Sequence, residues 1–130
     1  MEWKKEKIET ALVDIPRRGI SQAIRFGSVL FVSGQVGEDL EGNVPEGIEA
    51  QVELAITNAK HIIEAAGGTL DDALMCRCFL QKVEDFDGMN TAYFKFFGDQ
   101  EAGPARYTVV APPVEEKLLF EIAIFVGLKD

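Results

Sequence analysis

The sequence predicts an α+β domain in which a single mixed β-sheet carries two helices packed on one of its faces. Three observations lead to this fold class. Apolar, β-branched runs occur at six places, two longer stretches have helical spacing, and the resulting order is β-β-β-α-β-α-β-β. With 130 residues and a hydrophobic fraction of 47%, the chain is expected to form one domain over residues 1–130.

Three strands are predicted in the first third of the chain. Lys7 to Val13 could form a short edge strand before a proline and a glycine interrupt it. Ser21 to Phe26 and the apolar run Val29 to Val32 indicate a hairpin with a tight turn between its strands. The small polar cluster Ser33-Gly34-Gln35 is expected to end this hairpin and to let a ligand approach the backbone closely.

The clearest helix is predicted from Glu46 to Ala66, and Gly67-Gly68 is expected to end it. Its apolar residues recur every three or four positions and form one stripe: Ile48, Val52, Ala55, Ile56, Ala59, Ile62, Ile63 and Ala66. A second helix is predicted after Asp85, which is expected to cap it. Between the two helices, Thr69 to Asp72 could start a helical turn.

The remaining strands are predicted at Ala73 to Gln81, after the Gly-Pro corner of Gly103 to Val110, and at Leu118 to Val126. Apolar residues occupy both alternating faces of Ala73 to Gln81, which indicates a sheet covered on both sides. Two helices can cover only one face. We therefore expect another copy of the chain to cover the second face.

The charge of the chain disfavours two kinds of partner. A formal net charge of -9 argues against nucleic acid and against anionic membrane surfaces, because both require a cationic face on the protein. No apolar run approaches the roughly 20 residues that span a bilayer. Met1 to Thr10 is charged throughout and does not resemble a signal peptide, so a soluble cytoplasmic protein is expected.

The cysteine and histidine content argues against a metal site and a disulfide. Cys76 and Cys78 lie two residues apart on one predicted strand, too close for an ordinary disulfide. The chain has a single histidine and no second cysteine pair, so a structural zinc site is not expected. Reduced thiols fit a cytoplasmic protein.

Two charged residues of the C-terminal strands are candidates for chemistry. Arg106 stands at the start of a strand, where it is either a solvated surface residue or a two-pronged carboxylate ligand. Glu121 lies inside an apolar run, either as a paired core or edge carboxylate or as a general base whose pKa depends on burial and a nearby cation. Because their strands are consecutive, the two side chains can be neighbours across the sheet.

Several short segments, in order and at similar spacing, resemble the Rid/YjgF family of reactive-intermediate imine deaminases. These segments are Ser21-Gln22-Ala23-Ile24, Val32-Ser33-Gly34-Gln35, Asp85-Phe86 with Asn90 and Tyr93, Pro104-Ala105-Arg106, and Glu121 in the final strand. The resemblance covers nearly the whole chain after about Ile15. It implies the fold shared with a small trimeric chorismate mutase, and homotrimers with three clefts between subunits.

The resemblance also implies a chemical role for individual residues. Arg106 matches the arginine that holds the carboxylate of a 2-imino acid, and Glu121 matches the glutamate that holds the attacking water. Further positions match the substrate pocket of the family: Ile20, Ser33, Gly34, Asn90 and Thr108. In the reaction implied, water adds to the imine and ammonia leaves, so that a 2-keto acid forms without a metal or organic cofactor.

Two positions depart from the family pattern and keep a second function open. Ile20 stands where the pattern has tyrosine, and Gly103 replaces an apolar residue before Pro-Ala-Arg. Retention of Arg106 and Glu121 favours hydrolytic deamination of 2-imino or enamine acids. Ile20 favours the alternative, a non-catalytic trimer that binds a small carboxylate or regulates through it. A chorismate mutase is a weaker third interpretation, because the chain has few cations to neutralise a dicarboxylate.

Overall fold

Eight helices and strands follow one another in the predicted order, which confirms the α+β fold class. A computed structural model describes residues 3–129. The elements are β1 (Lys5–Ile8), β2 (Ala23–Phe26), β3 (Val29–Val36), α1 (Ile48–Ala65), β4 (Ala73–Leu80), α2 (Phe86–Phe97), β5 (Ala105–Val110) and β6 (Phe120–Gly127). Short 3-10 turns at Leu70–Asp72 and Val83–Asp85 precede β4 and α2. Within the described residues, neither helix is long and apolar enough to cross a membrane.

All six strands belong to one sheet with the order β1-β2-β3-β6-β4-β5. β4 and β5 run parallel and every other neighbouring pair is antiparallel, so the sheet is mixed, as predicted. The apolar strand β6 is central, between β3 and β4. β5 pairs with β4 alone and forms an edge. As a result β5 and β6, although consecutive in the chain, are separated by β4.

The two faces of the sheet differ in their cover. Both helices pack on one face, called here the helix face, over buried strand residues that include Leu30, Cys76, Cys78, Ile122 and Ile124. The opposite face, called here the open face, carries the alternate residues of the strands, among them Phe31, Arg77, Phe79, Tyr107, Val109, Glu121 and Phe125. Phe31 and Tyr107 are each 44% exposed. The apolar second face predicted from the alternation in β4 is therefore present.

The first strand lies earlier in the chain than predicted. β1 ends at Ile8, whereas the sequence placed an edge strand over Lys7 to Val13. The reason is Gln22, whose buried side chain accepts a hydrogen bond from the Thr10 N–H at 2.8 Å and donates to the Val13 carbonyl at 3.0 Å. These bonds replace the ladder of a strand, so residues 9–22 form a loop held against the sheet by one side chain.

The cluster Ser33-Gly34-Gln35 does not end β3, as the sequence analysis expected. β3 continues to Val36, and the two residues Ser33 and Gly34 fall at a register shift against β6. A bulge of this kind leaves backbone unpaired and redirects side chains, which short polar residues tolerate well. The backbone that we expect a ligand to approach, at Ser33-Gly34-Gln35, therefore lies within β3 and not after its end.

The helix starts also differ in detail from the prediction. α1 begins at Ile48, two residues later than predicted, because Gly47 has a φ of 90°, which is outside the helical region. Asp85 precedes α2 as predicted, but its carboxylate makes no capping hydrogen bond, and one of its oxygens is buried without a partner. The preceding 3-10 turn leads directly into α2.

Candidate active site

Arg106 is held in a fixed orientation against α2. It lies on β5 with its side chain on the helix face, where its Nη1 donates a hydrogen bond to Oδ1 of Asn90 at 2.8 Å. Its guanidinium carbon lies 4.7 Å from the centre of the Tyr93 ring, and the rings of Phe94 and Phe86 lie at 5.7 and 6.0 Å. These contacts fix the plane of the guanidinium.

The side chains around Arg106 come from one side of α2. Phe86, Asn90, Tyr93 and Phe94 are spaced by three or four residues, so successive helical turns bring them together. Within residues 3–129, no carboxylate lies within salt-bridge distance of Arg106. A guanidinium that is fixed by an amide and aromatic rings, but lacks an anionic partner, is well arranged to bind a planar carboxylate.

Thr108 lies two residues beyond Arg106 on the same face of β5. Its hydroxyl oxygen is buried and has no hydrogen-bond partner within the described residues. The Ala111 N–H donates to the Leu80 carbonyl of β4, and backbone groups alternate in direction along a strand, so those of Thr108 point to the free edge. Arg106, Asn90, Tyr93 and Thr108 together are called here the arginine half-site.

Glu121 lies on the open face, over the bulge of β3. Its carboxylate occupies the space that a Cβ at position 34 would fill, so only glycine at that position allows this packing. Within residues 3–129, the carboxylate makes no hydrogen bond or salt bridge with another side chain. Burial raises the pKa of Glu121 above its ordinary value. A carboxylate with a raised pKa accepts a proton more readily than an ordinary exposed one.

An open cavity of about 180 Å³ lies beside Gly34. Ile20 and Ser33 line it, and the Ser33 hydroxyl donates a hydrogen bond to the Ser21 carbonyl at 2.6 Å. Ile20 is 56% exposed, on the loop that Gln22 anchors. Ile20, Ser33, Gly34 and Glu121 together are called here the glutamate half-site.

The structure does not place Arg106 and Glu121 next to each other in one chain. Glu121 pairs with Phe79 of β4, and Arg106 pairs with Cys76 of the same strand. Because Cys76 and Phe79 are three positions apart, their side chains point to opposite faces. The expectation that consecutive strands make the two residues neighbours is therefore wrong, because β4 lies between β5 and β6 and the residues occupy different faces.

The two cysteines do not contribute a nucleophile. Both are free and fully buried under α2. Burial raises the pKa of Cys76 to about 11 and that of Cys78 to about 12, so both remain protonated thiols at neutral pH. Over residues 3–129, His, Cys, Asp and Glu side chains form no group of three or more that could hold a metal ion.

The sequence analysis assigned no role to Phe86 and Phe94, although both rings lie near Arg106. The sequence feature that could have indicated a role for these two rings is their spacing to Asn90, which is four residues from each of them. The exposure of the two rings, 40% and 54%, is a second signal, but only the structure reveals it. Exposed aromatic rings beside an unpaired arginine are a common feature of binding surfaces.

Comparison with known proteins identifies the family of the chain. Residues 13–127 match the family model described as endoribonuclease L-PSP. A RutC family protein of Saccharolobus solfataricus is 37% identical over 122 residues, which cover 92% of this chain and 95% of that protein. A 2-iminobutanoate/2-iminopropanoate deaminase of Dermatophagoides farinae is 32% identical over 127 residues, which cover 96% of this chain and 98% of that protein.

Solved structures share the whole fold. The crystal structure of TdcF from E. coli with bound serine matches with a TM-score of 0.88 and 28% sequence identity, covering 96% of this chain and 100% of that one. Residues 13–127, which match the family model, include both half-sites and every strand from β2 to β6. The chain therefore belongs to the Rid/YjgF family, also described as the RutC or endoribonuclease L-PSP family.

Proposed function

We propose that this protein hydrolyses 2-imino and enamine acids to 2-keto acids and ammonia. The observation that carries the proposal is the fixed guanidinium of Arg106, which has an amide and aromatic rings around it but no carboxylate partner in the described chain. Such a group selects a substrate with a planar carboxylate. The half-buried Glu121 supplies the second group that the reaction needs, a base for water.

A complete site requires two copies of the chain. The arginine half-site lies on the helix face near the β5 edge, whereas Glu121 of the glutamate half-site lies on the open face. We propose that the first half-site of one copy meets the second half-site of the next. Because this interface joins two different surfaces, it closes by forming a ring, and we propose a homotrimer with three clefts. The exposed Phe31 and Tyr107 would be buried in this assembly.

In the proposed mechanism, Arg106 binds the substrate carboxylate and so places C2 of the imine near Glu121 of the neighbouring copy. Glu121 takes a proton from water while the water oxygen bonds to C2, and the electrons of the C=N bond move to nitrogen. Glu121 then returns its proton to nitrogen, and nitrogen takes a second proton from the new hydroxyl as the C2–O bond becomes a carbonyl, the C–N bond breaks and ammonia leaves. An enamine first gains a proton at its β-carbon and loses one from nitrogen to become the imine. Positioning supplies most of the rate gain, because the imine carbon is already electrophilic.

The comparisons support this choice of reaction. One relative, 32% identical, bears the name 2-iminobutanoate/2-iminopropanoate deaminase. TdcF, 28% identical, has serine bound in its crystal structure, and serine carries a carboxylate beside a C2–N bond, as the proposed substrates do. Cleavage of RNA is disfavoured despite the name of the family model, because the chain has a net charge of -9 and RNA binding requires cations for several phosphates.

Ile20 supports a second candidate function, non-catalytic binding of a small carboxylate. This exposed apolar side chain stands at the cavity where the family pattern has a tyrosine hydroxyl. A cleft that has Arg106 but lacks this tyrosine hydroxyl would bind a 2-keto acid without hydrolysing an imine. In that case the trimer would act as a sensor or carrier of the acid.

The experiment that separates the two candidates measures 2-keto acid release from imines generated in situ by an amino-acid oxidase. The deaminase proposal predicts that the protein accelerates this release above the uncatalysed decay of the imine. A matched variant, Arg25→Lys, changes an arginine elsewhere in the sheet and should retain the acceleration. If the protein binds a 2-keto acid in calorimetry but does not accelerate its release from the imine, the deaminase proposal is wrong and the binding-protein proposal is favoured.

A further inference from the structure

Arg77 is an unpaired cation in the middle of the apolar open face. It lies on β4, and its guanidinium carbon stacks over the Phe125 ring at 4.7 Å. Its Nε is buried and has no hydrogen-bond partner within residues 3–129. Ala123, its register partner on β6, is only 5% exposed. The long side chain of Arg77 therefore lies along the sheet surface.

Glu121 is an anionic group close to Arg77 in the register of the sheet. The register pairs are Arg77 with Ala123 and Phe79 with Glu121, so Arg77 and Glu121 lie diagonally across neighbouring strands on one face. Such diagonal positions are about 7–8 Å apart, within reach of a long side chain. Among the strand residues that the structure describes on the open face, Glu121 is the single carboxylate.

Covering the open face removes the water that hydrates both groups. An unpaired guanidinium is costly to bury, and so is an unpaired carboxylate. Both side chains are only partly exposed to water on the isolated chain, and the assembly under "Proposed function" encloses this face. Rotation of the Arg77 side chain from Phe125 toward Glu121 satisfies both charges with one ion pair.

We propose that Arg77 is a positioning residue that pairs with Glu121 of its own chain once the open face is covered. This inference rests on the proposed assembly and deepens the proposed role of Glu121. The guanidinium fixes the carboxylate over Gly34 and favours its ionised form, which is the form that accepts a proton from water. Arg77 thereby offsets part of the effect of burial on the pKa of Glu121.

The strands around Glu121 present few other groups that titrate. β3 contributes Gly34 and Val36 on this side, neither of which carries a charge, and β4 contributes Arg77 and Phe79. The phenol of Tyr107 on β5 lies beyond Arg77 in the register. In the proposed assembly Arg106 of the neighbouring copy also faces Glu121, but it is the same in the wild type and in the Arg77 variants, so a change in the Glu121 titration reports on Arg77.

The test is a direct titration of Glu121 by carbon-13 NMR of glutamate-labelled protein, with the signal assigned by its loss in Glu121→Gln. Arg77→Met keeps the apolar stem and removes the charge, and Arg77→Gln is a second neutral variant in case the first fails to assemble. We expect the pKa of Glu121 to rise by about one unit or more in either neutral variant, since a close opposite charge lowers a carboxyl pKa by roughly 1–3 units. Arg77→Lys should restore most of the wild-type value.

The controls separate this inference from the proposed function. Light scattering must show that each variant has the same mass as the wild type, and Arg25→Met should leave the Glu121 titration unchanged. The titration needs no turnover, so it remains informative even if the protein does not deaminate imines. An unchanged Glu121 pKa in a correctly assembled Arg77→Met or Arg77→Gln protein would overturn the pairing.

Discussion

Arg106 and Glu121 both lack a charged partner in the described chain, but their surroundings differ. Arg106 is fixed by Asn90 and stacked on Tyr93, so its orientation is determined before any ligand arrives. Glu121 is held by packing alone, and burial raises its pKa. In the proposed function, Arg106 is therefore preorganised to bind the carboxylate, and Glu121 is the group that accepts the proton.

Replacement of Arg106 by lysine tests the carboxylate-binding role. Arg106→Lys retains the charge but loses the planar fork, the bond to Asn90 and the stacking on Tyr93. The loss of a charge-assisted bond of this kind costs about 1.5–3 kcal/mol, so kcat/KM for imine hydrolysis should fall roughly 10- to 100-fold. Steady-state kinetics with unchanged circular dichroism and mass would establish this, with Arg25→Lys as the matched control. A wild-type kcat/KM in Arg106→Lys would exclude Arg106 as the ligand of the carboxylate.

The pH dependence of the reaction tests the role of Glu121 as the base. A carboxylate acts as a base only when ionised, so activity is retained above its pKa and lost as the pH falls through it. Because burial raises the pKa of Glu121, this loss should begin at a higher pH than for an ordinary glutamate. Glu121→Gln should lower kcat by ~10²–10⁴ and abolish the acidic limb of the profile, because removal of a positioned base has an effect of this size.

Binding of a 2-keto acid provides the control for that variant. Glu121→Gln leaves Arg106 unchanged, so calorimetric affinity for the acid should be retained or increased, since a nearby negative charge has been removed. Equal kcat values in the variant and the wild type would show that water attacks without help from Glu121.

At the scale of elements, one buried side chain shapes the loop that carries Ile20. Gln22 is 2% exposed and bonds to the backbone of Thr10, Val13 and Asp14. Residues 9–22 thereby gain a fixed conformation without forming a strand. The wall of the cavity beside Gly34 depends on this loop.

Gln22→Met should destabilise the protein by about 1–3 kcal/mol, because methionine has a similar volume but leaves buried backbone groups without hydrogen bonds. Urea denaturation at a fixed protein concentration measures this change in the free energy of unfolding. Gln35→Met is the matched control, since the Gln35 side chain makes one local bond, to the Ser33 carbonyl at 3.2 Å. Equal stability of Gln22→Met and Gln35→Met would show that the loop does not depend on Gln22.

The order and type of the elements could be predicted from the sequence because the spacing of apolar residues indicates which positions of a helix or strand are buried. The stripe of α1 and the alternation in β4 are both present in the structure. The end of β1, the bulge at Ser33-Gly34 and the start of α1 could not be predicted, because each depends on a contact or a dihedral angle that local pattern does not encode. The position of β4 between β5 and β6 also depends on long-range pairing.

The same distinction applies to the candidate site. Motif residues such as Arg106 and Asn90 were recognisable from the sequence, and the structure joins them by a hydrogen bond. The separation of Arg106 from Glu121 was not predictable, because it follows from strand order and from which face each residue occupies. The sequence pattern thus predicted the candidate groups, and the topology shows that a single chain does not bring Arg106 and Glu121 together.

At the scale of the whole molecule, the account depends on a site shared between copies. Arg106 and Glu121 lie on opposite faces of one sheet, and the open face is apolar. The proposed ring of copies would bring each arginine half-site against the glutamate half-site of a neighbour and would cover that face. In such a ring catalysis would require assembly, because a single chain holds only half of each of two proposed sites.

Complementation between two inactive variants tests this claim most directly. Arg106→Lys and Glu121→Gln chains are denatured together in equal amounts, refolded and assayed for 2-keto acid release, with light scattering to confirm that trimers of the 14.3 kDa chain form. With random mixing, about one quarter of the clefts receive an intact arginine from one chain and an intact glutamate from the next. The account predicts recovery of about a quarter of wild-type activity from two nearly inactive proteins. Activity in correctly assembled mixed trimers that does not exceed the residual activity of the two variants alone would contradict the shared site.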